Sequence, residues 1–384
     1  MTTIELETNA VGDQLEAVID SFQQQYPNLS VTVTKATNPK LDVKTRILRE
    51  QPPDVWTGWP GQSLYPYLDS GVVGDISHLW ERNDWEQSYH ELAIEAVRYD
   101  GIYRALPSGI NRINLLYYNA NLAEEIEINP ETIRSPTELV DVLDQIDDTS
   151  IGTGMIQPMR DPWTVLTLFE LVLLGEHGAN VFNSIVDGNG RQHEREIRSA
   201  FEVTRSITEY ATDDALYLPH TKANDRFVEG ESVFFQQGSW AARKYMDPDG
   251  YEYGTDWDVM AFPGTEGEFL HNMNAFFVSP GMVEDENIER FLEHLGSRES
   301  QSQQTSGCGI PPRKDVQTGQ FHPVITDQIS EFEQSRSQPS SIIHGLGCRP
   351  QQLVELKSLM AQILADWDTD QAAKEIAEIL DRTE

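Results

Sequence analysis

Cysteine occurs only twice in the 384 residues, at Cys308 and Cys348, and neither a Cys/His cluster nor an H-E-x-x-H motif is present, so no metal centre is expected. The phosphate loop G-x-x-x-x-G-K-[ST] is missing, as is a G-x-G-x-x-G following a strand, which leaves no cofactor signature. Basic residues are few. Against 63 Asp and Glu stand 28 Lys and Arg, giving a formal net charge of −35 and a pI near 4.4. Such a surface repels phosphate backbones and anionic headgroups, so nucleic acid is excluded as a partner and a charged membrane surface is disfavoured. Long apolar runs are lacking too. The longest, residues 165–174, is interrupted by Glu170 and falls short of the roughly 20 residues a bilayer demands, so no membrane span is expected. Met1-Thr2-Thr3 passes directly into Ile4-Glu5-Leu6, which reads as a strand, so the chain is expected to be cytosolic or to lack its export segment.

What is present points to a folded chain of two domains. At 43.5 kDa it exceeds one small core, and 8 Trp, 13 Tyr and 14 Phe supply more aromatic surface than disordered chains carry. The acid is dispersed along the sequence and lysine is much scarcer than arginine, a composition that looks like that of proteins from salt-loving archaea. In molar salt the screening length falls to about 3 Å, which removes most self-repulsion, so stability is expected to fall when salt is withdrawn. Asp247-Pro248-Asp249-Gly250 and Asp256-Trp257-Asp258 miss the ligand register of a calcium loop and read as turns. Cys308 and Cys348 lie in the glycine-rich segments Ser306-Gly307-Cys308-Gly309 and Gly345-Leu346-Gly347-Cys348. They read either as unrelated small residues or as a disulfide, which would close a loop worth roughly 4 kcal/mol and favour an oxidising location.

A strand ending at residues 6–9, an amphipathic helix over 13–26 and an alternating strand over 29–34 form a β-α-β unit, the building block of a parallel sheet. Further strands are expected at 54–56, 102–107, 113–118, 228–237, 257–262 and 275–278. Helices are expected at 44–50, 137–146, 163–174, 194–211, 286–295, 351–367 and 370–380. Three stretches bearing Gly or Pro, 107–113, 262–265 and 307–313, look like crossings between lobes. The architecture expected is therefore α/β, with residues 1–112 plus 263–309 in one lobe and 113–262 plus 310–384 in the other. Three crossings imply an exchange of strands, a ligand cleft and hinge closure.

The order and spacing of several motifs resemble the solute-binding proteins of ABC-type sugar importers, in particular the branch that takes glucose, galactose or mannose. They are Tyr26-Pro27-Asn28-Leu29-Ser30-Val31-Thr32-Val33, Lys44-Thr45-Arg46-Ile47-Leu48 with Pro52-Pro53-Asp54-Val55, Gly101-Ile102-Tyr103-Arg104-Ala105-Leu106-Pro107, Tyr117-Tyr118-Asn119, the FVEGESVFFQQGSW run ending at Trp240, and Ile343-His344-Gly345. The resemblance implies the two-lobe periplasmic-binding-protein fold of type II, no catalysis and no cofactor. It also implies a monomeric lipoprotein on the extracellular face of the cell membrane, its export and anchor segment missing from this sequence. Such a protein traps a sugar by closing its lobes and delivers it to an ABC permease.

A pyranose needs rings over its C–H faces and planar polar groups around its hydroxyl rim. On the resemblance, Trp163, Trp240 and Trp59 would supply rings. Asn9, Asp13, Gln62, Asn111, Arg112, Asp161, Asn272, Asn274 and His344 would supply the rim. Read on their own residues, Trp240 could end a core strand, Asp13 could be a helix-start charge and His344 a structural histidine. Two departures bear on the guest: Thr8-Asn9 stands where the branch has tandem tryptophans, and Cys308 where it has a lysine. An oligosaccharide or a glycerol-phosphate compound is the alternative guest, although a phosphate would want more basic residues. A secreted glycosidase is the alternative from another class, because 63 acids offer many carboxylate pairs.

Overall fold

A computed structural model describes residues 2–8, 12–35, 39–149, 151, 153–246, 250–307, 309–365 and 367–381; Asn9, Cys308 and residues 247–249 lie outside them. Among the described residues eleven strands form: β1 (Thr2–Thr8), β2 (Leu29–Lys35), β3 (Val55–Gly58), β4 (Arg98–Tyr99), β5 (Ile102–Tyr103), β6 (Leu106–Arg112), β7 (Leu115–Asn119), β8 (Thr153–Ile156), β9 (Ser232–Gln236), β10 (Trp257–Ala261) and β11 (His271–Val278). One sheet has the order β2-β1-β3-β11-β6, a second β10-β7-β9-β8, and β4 pairs with β5 alone. The mixed α/β class expected from the sequence is what forms.

The chain divides into two compact units, Met1–Asn111 with Asn272–Thr326, and Arg112–His271 with Asp327–Glu384. The expected lobes, 1–112 plus 263–309 and 113–262 plus 310–384, differ from these units at residues 112, 263–271 and 310–326. Residues 263–271 stay with the second unit because Ile113 N–H donates to the Leu270 carbonyl at 2.8 Å and Leu270 N–H to Asn114 Oδ1 at 3.0 Å. Residues 310–326 stay with the first because Ile310 and Ile110 exchange backbone hydrogen bonds and His90 N–H donates to the Pro312 carbonyl at 2.9 Å. Gly and Pro mark where the backbone turns; the ladder bonds decide which unit it turns into.

In the first unit β1 runs parallel to β2 and to β3, and β11 is antiparallel to β3. Parallel strands need a crossover, and the helix Asp13–Gln25 provides it, burying Leu15, Val18, Ile19 and Phe22 on the face their spacing marks out. In the second unit β8 is parallel to β9, while β7 is antiparallel to β9 and to β10. Every residue of β7 and of β9 is buried, as continuous apolar strands covered on both faces should be.

The helix Pro162–Val186 corrects the bounds expected for a helix at 163–174, and it bears on the expectation that no segment crosses a membrane. By length and composition alone it could cross one, with a mean hydropathy of 1.3 over its most apolar window, far beyond the ten-residue run read from the sequence. Two features mark it as a core helix instead. Residues 164–174 are all buried by protein, and Gly178, at φ 76° and ψ 170°, breaks the helix into two pieces. The first piece starts with Pro162 after Asp161, where a missing N–H costs nothing. A second correction concerns residues 228–237. Only Ser232–Gln236 is a strand, because Ala223 and Phe227 share the buried face of a preceding helix, His220–Val228.

Candidate functional site

Ligands of open α/β sheets collect beyond the C-terminal ends of parallel strands. In the second unit β8 and β9 share such an edge. The chain leaves β8 through Gln157-Pro158-Met159-Arg160 into Asp161-Pro162-Trp163, and leaves β9 through Gln237-Gly238-Ser239 into Trp240. Asp161 sits at the start of the Pro162–Val186 helix, half-buried, with Oδ2 3.1 Å from Arg160 Nη2. Trp240 folds back over Gly238, where a Cβ would lie 2.4 Å from two carbons of the indole. Only a glycine admits the ring in that place.

His344 joins the two tryptophans. Its ring centroid lies 5.9 Å from that of Trp163 and 5.4 Å from that of Trp240, at interplanar angles of 78° and 50°. His220 meets Trp163 edge-on at 5.2 Å. Among the described residues, every ring contact of the two half-buried indoles is tilted or T-shaped. Neither flat face is covered by a parallel ring, which is how a C–H face of another molecule would be received. Burial lowers the pKa of His220, against the nearby Asp161 carboxylate and with the Arg160 guanidinium, so this imidazole stays neutral around neutral pH.

Behind His344 lies a polar network. Glu170, fully buried, accepts from the Ser341 hydroxyl at 2.7 Å through Oε1, and from the Ile342 and Ile343 amides at 3.0 and 3.4 Å through Oε2. Ser341 Oγ lies 3.0 Å from His344 Nδ1 and accepts from the His344 amide at 3.1 Å. Three further side chains near the same strand ends hold buried polar atoms with no protein partner: Gln157 Oε1, Gln236 Nε2 and Ser239 Oγ. A buried polar atom without a partner costs roughly 1–3 kcal/mol, so these atoms favour a polar guest.

The first unit has a matching edge. Thr57 Oγ1 donates to Thr8 Oγ1 at 2.8 Å where β3 and β1 end, and Trp59 and Gln62, both half-buried, follow β3. In the β11 register Ala275 faces Gly58, so half-buried Asn274 falls at that same end. Asn272 is buried and accepts from Asn111 Nδ2 at 2.9 Å, a pair made within this unit. A Cβ on Gly309 would lie 3.1 Å from Asn111 Oδ1, and one on Gly307 2.4 Å from Gln14 Nε2. Gly309 thus lies against Asn111, and Gly307 against Gln14 in the first turn of the helix Asp13–Gln25, which exposed Asp13 opens.

Arg112 is held by partners of its own, second unit. Its guanidinium, itself buried, pairs with exposed Glu331, reaches Asn114 Oδ1 at 3.3 Å and lies 5.2 Å over the Phe269 ring. Cys348 is buried with its sulfur 3.0 Å from the Ile342 carbonyl oxygen. Among the described residues no cluster of His, Cys, Asp and Glu is arranged for a metal ion. Sequence reasoning passed over Glu170, Ser341, His220, Gln157, Gln236 and Ser239. The one visible signal was Glu170, an acid inside the most apolar run of the chain.

Comparison with known proteins agrees with this architecture. A relative from Haloferax volcanii, the xylose/arabinose-binding protein XacG, is 25% identical over 350 residues, spanning 89% of this chain and 75% of its own. A chitin oligosaccharide binding protein matches in structure with a TM-score of 0.86 at 16% identity, over 99% of this chain and 98% of the other. The bacterial solute receptor AcbH, described as having an exclusive preference for β-D-galactopyranose, matches with a TM-score of 0.83 at 14% identity, over 99% of this chain and all of the other. These likenesses establish the two-lobe solute-binding fold. Residues 17–330 match the family model described as bacterial extracellular solute-binding protein, and the chain belongs to that family.

Proposed function

We propose that this protein captures a small uncharged saccharide outside the cell and hands it to an ABC permease, without transforming it. The observation that carries this reading is the convergence of Trp163 and Trp240 on His344, with no parallel ring stacked on either indole among the described residues. Two rings can cover the faces of a pyranose, while Asp161, His344 and the buried amides of Gln157 and Gln236 satisfy its hydroxyls. Asp13, Trp59, Gln62, Asn111, Asn272 and Asn274 offer the same chemistry on the first unit, and closure of the two units on the guest belongs to the reading. A guest that contacts both favours the closed population.

A glucose-like hexose is the first candidate. A pentose is the second, on the strength of the relative that binds xylose and arabinose. The two differ by one hydroxymethyl group, so the same rings and amides serve either. Titrating intrinsic tryptophan fluorescence with glucose, galactose, mannose, xylose, arabinose and a chitin oligosaccharide tests the proposal. A saturable response to one of them is expected. Silence toward all six, with a response to an amino acid or a polyamine, overturns it.

A further inference from the structure

The Glu170–Ser341–His344 network does more than fill the core, because a serine hydroxyl has one proton to give. Glu170 accepts at both oxygens: from Ser341 Oγ at 2.7 Å, and from the Ile342 and Ile343 amides at 3.0 and 3.4 Å. The Ser341 proton is thereby committed to the carboxylate. Its two lone pairs then face the His344 amide at 3.1 Å and Nδ1 at 3.0 Å, and both contacts are satisfied only if Nδ1 carries the ring proton. The 3.6 Å separation of Nδ1 from Glu170 Oε1 acts in the same sense. In a neutral imidazole the lone pair then belongs to Nε2, at the ring edge away from Ser341.

We propose that Glu170 is a positioning residue which, acting through Ser341, fixes His344 as the Nδ1–H tautomer, so that Nε2 accepts a hydroxyl hydrogen of the saccharide held between Trp163 and Trp240. The proposal rests on the sugar-binding reading above. It explains a fully buried carboxylate inside the most apolar helix of the chain, a costly placement unless all its bonds are made.

Glu170→Gln tests it with little change of shape. The glutamine oxygen can keep accepting from the Ile342 and Ile343 amides, while its NH2 group donates to Ser341 Oγ. The serine proton then turns toward Nδ1, and the ring proton of His344 must move to Nε2. Nitrogen-15 NMR of labelled, sugar-free protein reads this directly. The native chain is expected to show protonated Nδ1 and the variant protonated Nε2, with sugar affinity lowered about tenfold as an acceptor becomes a donor. Ser341→Ala, which deletes the relay atom, is expected to leave His344 as a mixture of tautomers and to weaken binding by a similar factor. The relay is overturned if the native ring is protonated at Nε2, or if both variants keep the native tautomer and the native affinity. Should the native protein bind no sugar at all, the sugar reading falls, while the tautomers of the sugar-free protein still decide the relay.

Discussion

At the residue scale the proposed site depends on two indole rings held at fixed positions. Removing either side chain takes away one apolar face. Trp163→Ala and Trp240→Ala are each expected to weaken sugar binding about tenfold or more, in line with the ~1–1.5 kcal/mol of a good ring contact. Fluorescence or calorimetric titration checks this. Gly238→Ala separates placement from presence. A Cβ there would come within 2.4 Å of the Trp240 ring, at the outer edge of a side chain that can swing away. Affinity is expected to fall as for Trp240→Ala, with stability in urea changed by only about 1 kcal/mol. Unchanged affinity in Gly238→Ala would show that the ring's seat does not matter. The rings and His344 were picked out through the resemblance of their motifs to the sugar-importer binding proteins. The buried amides of Gln157 and Gln236 could not be. Whether an amide lacks a partner depends on neighbours far away in sequence, and no spacing reports it.

At the scale of elements, amphipathic spacing was a good guide and its absence a poor one. The helix Glu286–Leu295 has the bounds its apolar stripe predicts, with Ile288, Phe291, Leu292 and Leu295 buried. The helix Arg298–Thr305 has no such stripe and was invisible, because Ser300, Gln301 and Thr305 are what it buries. Gly178 is an element-scale device. Its φ of 76° with ψ of 170° is a backbone conformation open almost only to glycine, and it parts the Pro162–Val186 helix after the segment that carries Glu170. Gly178→Ala is expected to destabilise the protein by about 1–3 kcal/mol in denaturant titration; an unaffected midpoint would mean the break is not enforced there. At the first residue of β11, His271 is fully buried and burial holds its pKa down to about 4. The unfolded chain takes up that proton near pH 6.5, so between about 6.5 and 4 it binds more protons than the native state. The stability this histidine contributes is complete above pH 6.5 and declines by roughly 3 kcal/mol as the pH falls to 4. His271→Gln is expected to flatten that slope in urea midpoints measured from pH 7 to pH 4.

For the whole molecule the governing quantity is charge. Arginines already serve several acids each: Arg46 holds Glu5 and Glu7, Arg82 holds Glu289 and Glu293, and Arg226 holds Asp214 and Glu231. Even so, 28 basic residues cannot balance 63 acidic ones, and the net −35 is spread over both units. The consequence depends on screening. At physiological ionic strength the Debye length is about 8 Å, and repulsion summed over the acidic surface works against compaction. At molar salt the length is about 3 Å. Exposed ion pairs weaken too, but each is worth only about 0–1 kcal/mol, while unpaired acids outnumber the pairs. Loss of repulsion should therefore win, and the melting temperature is expected to rise steadily from low to molar KCl. Sodium sulfate would strengthen apolar burial as well, so chloride is the discriminating salt. A melting temperature that stays flat or falls in KCl would mean that the surface acids are spaced widely enough not to feel one another.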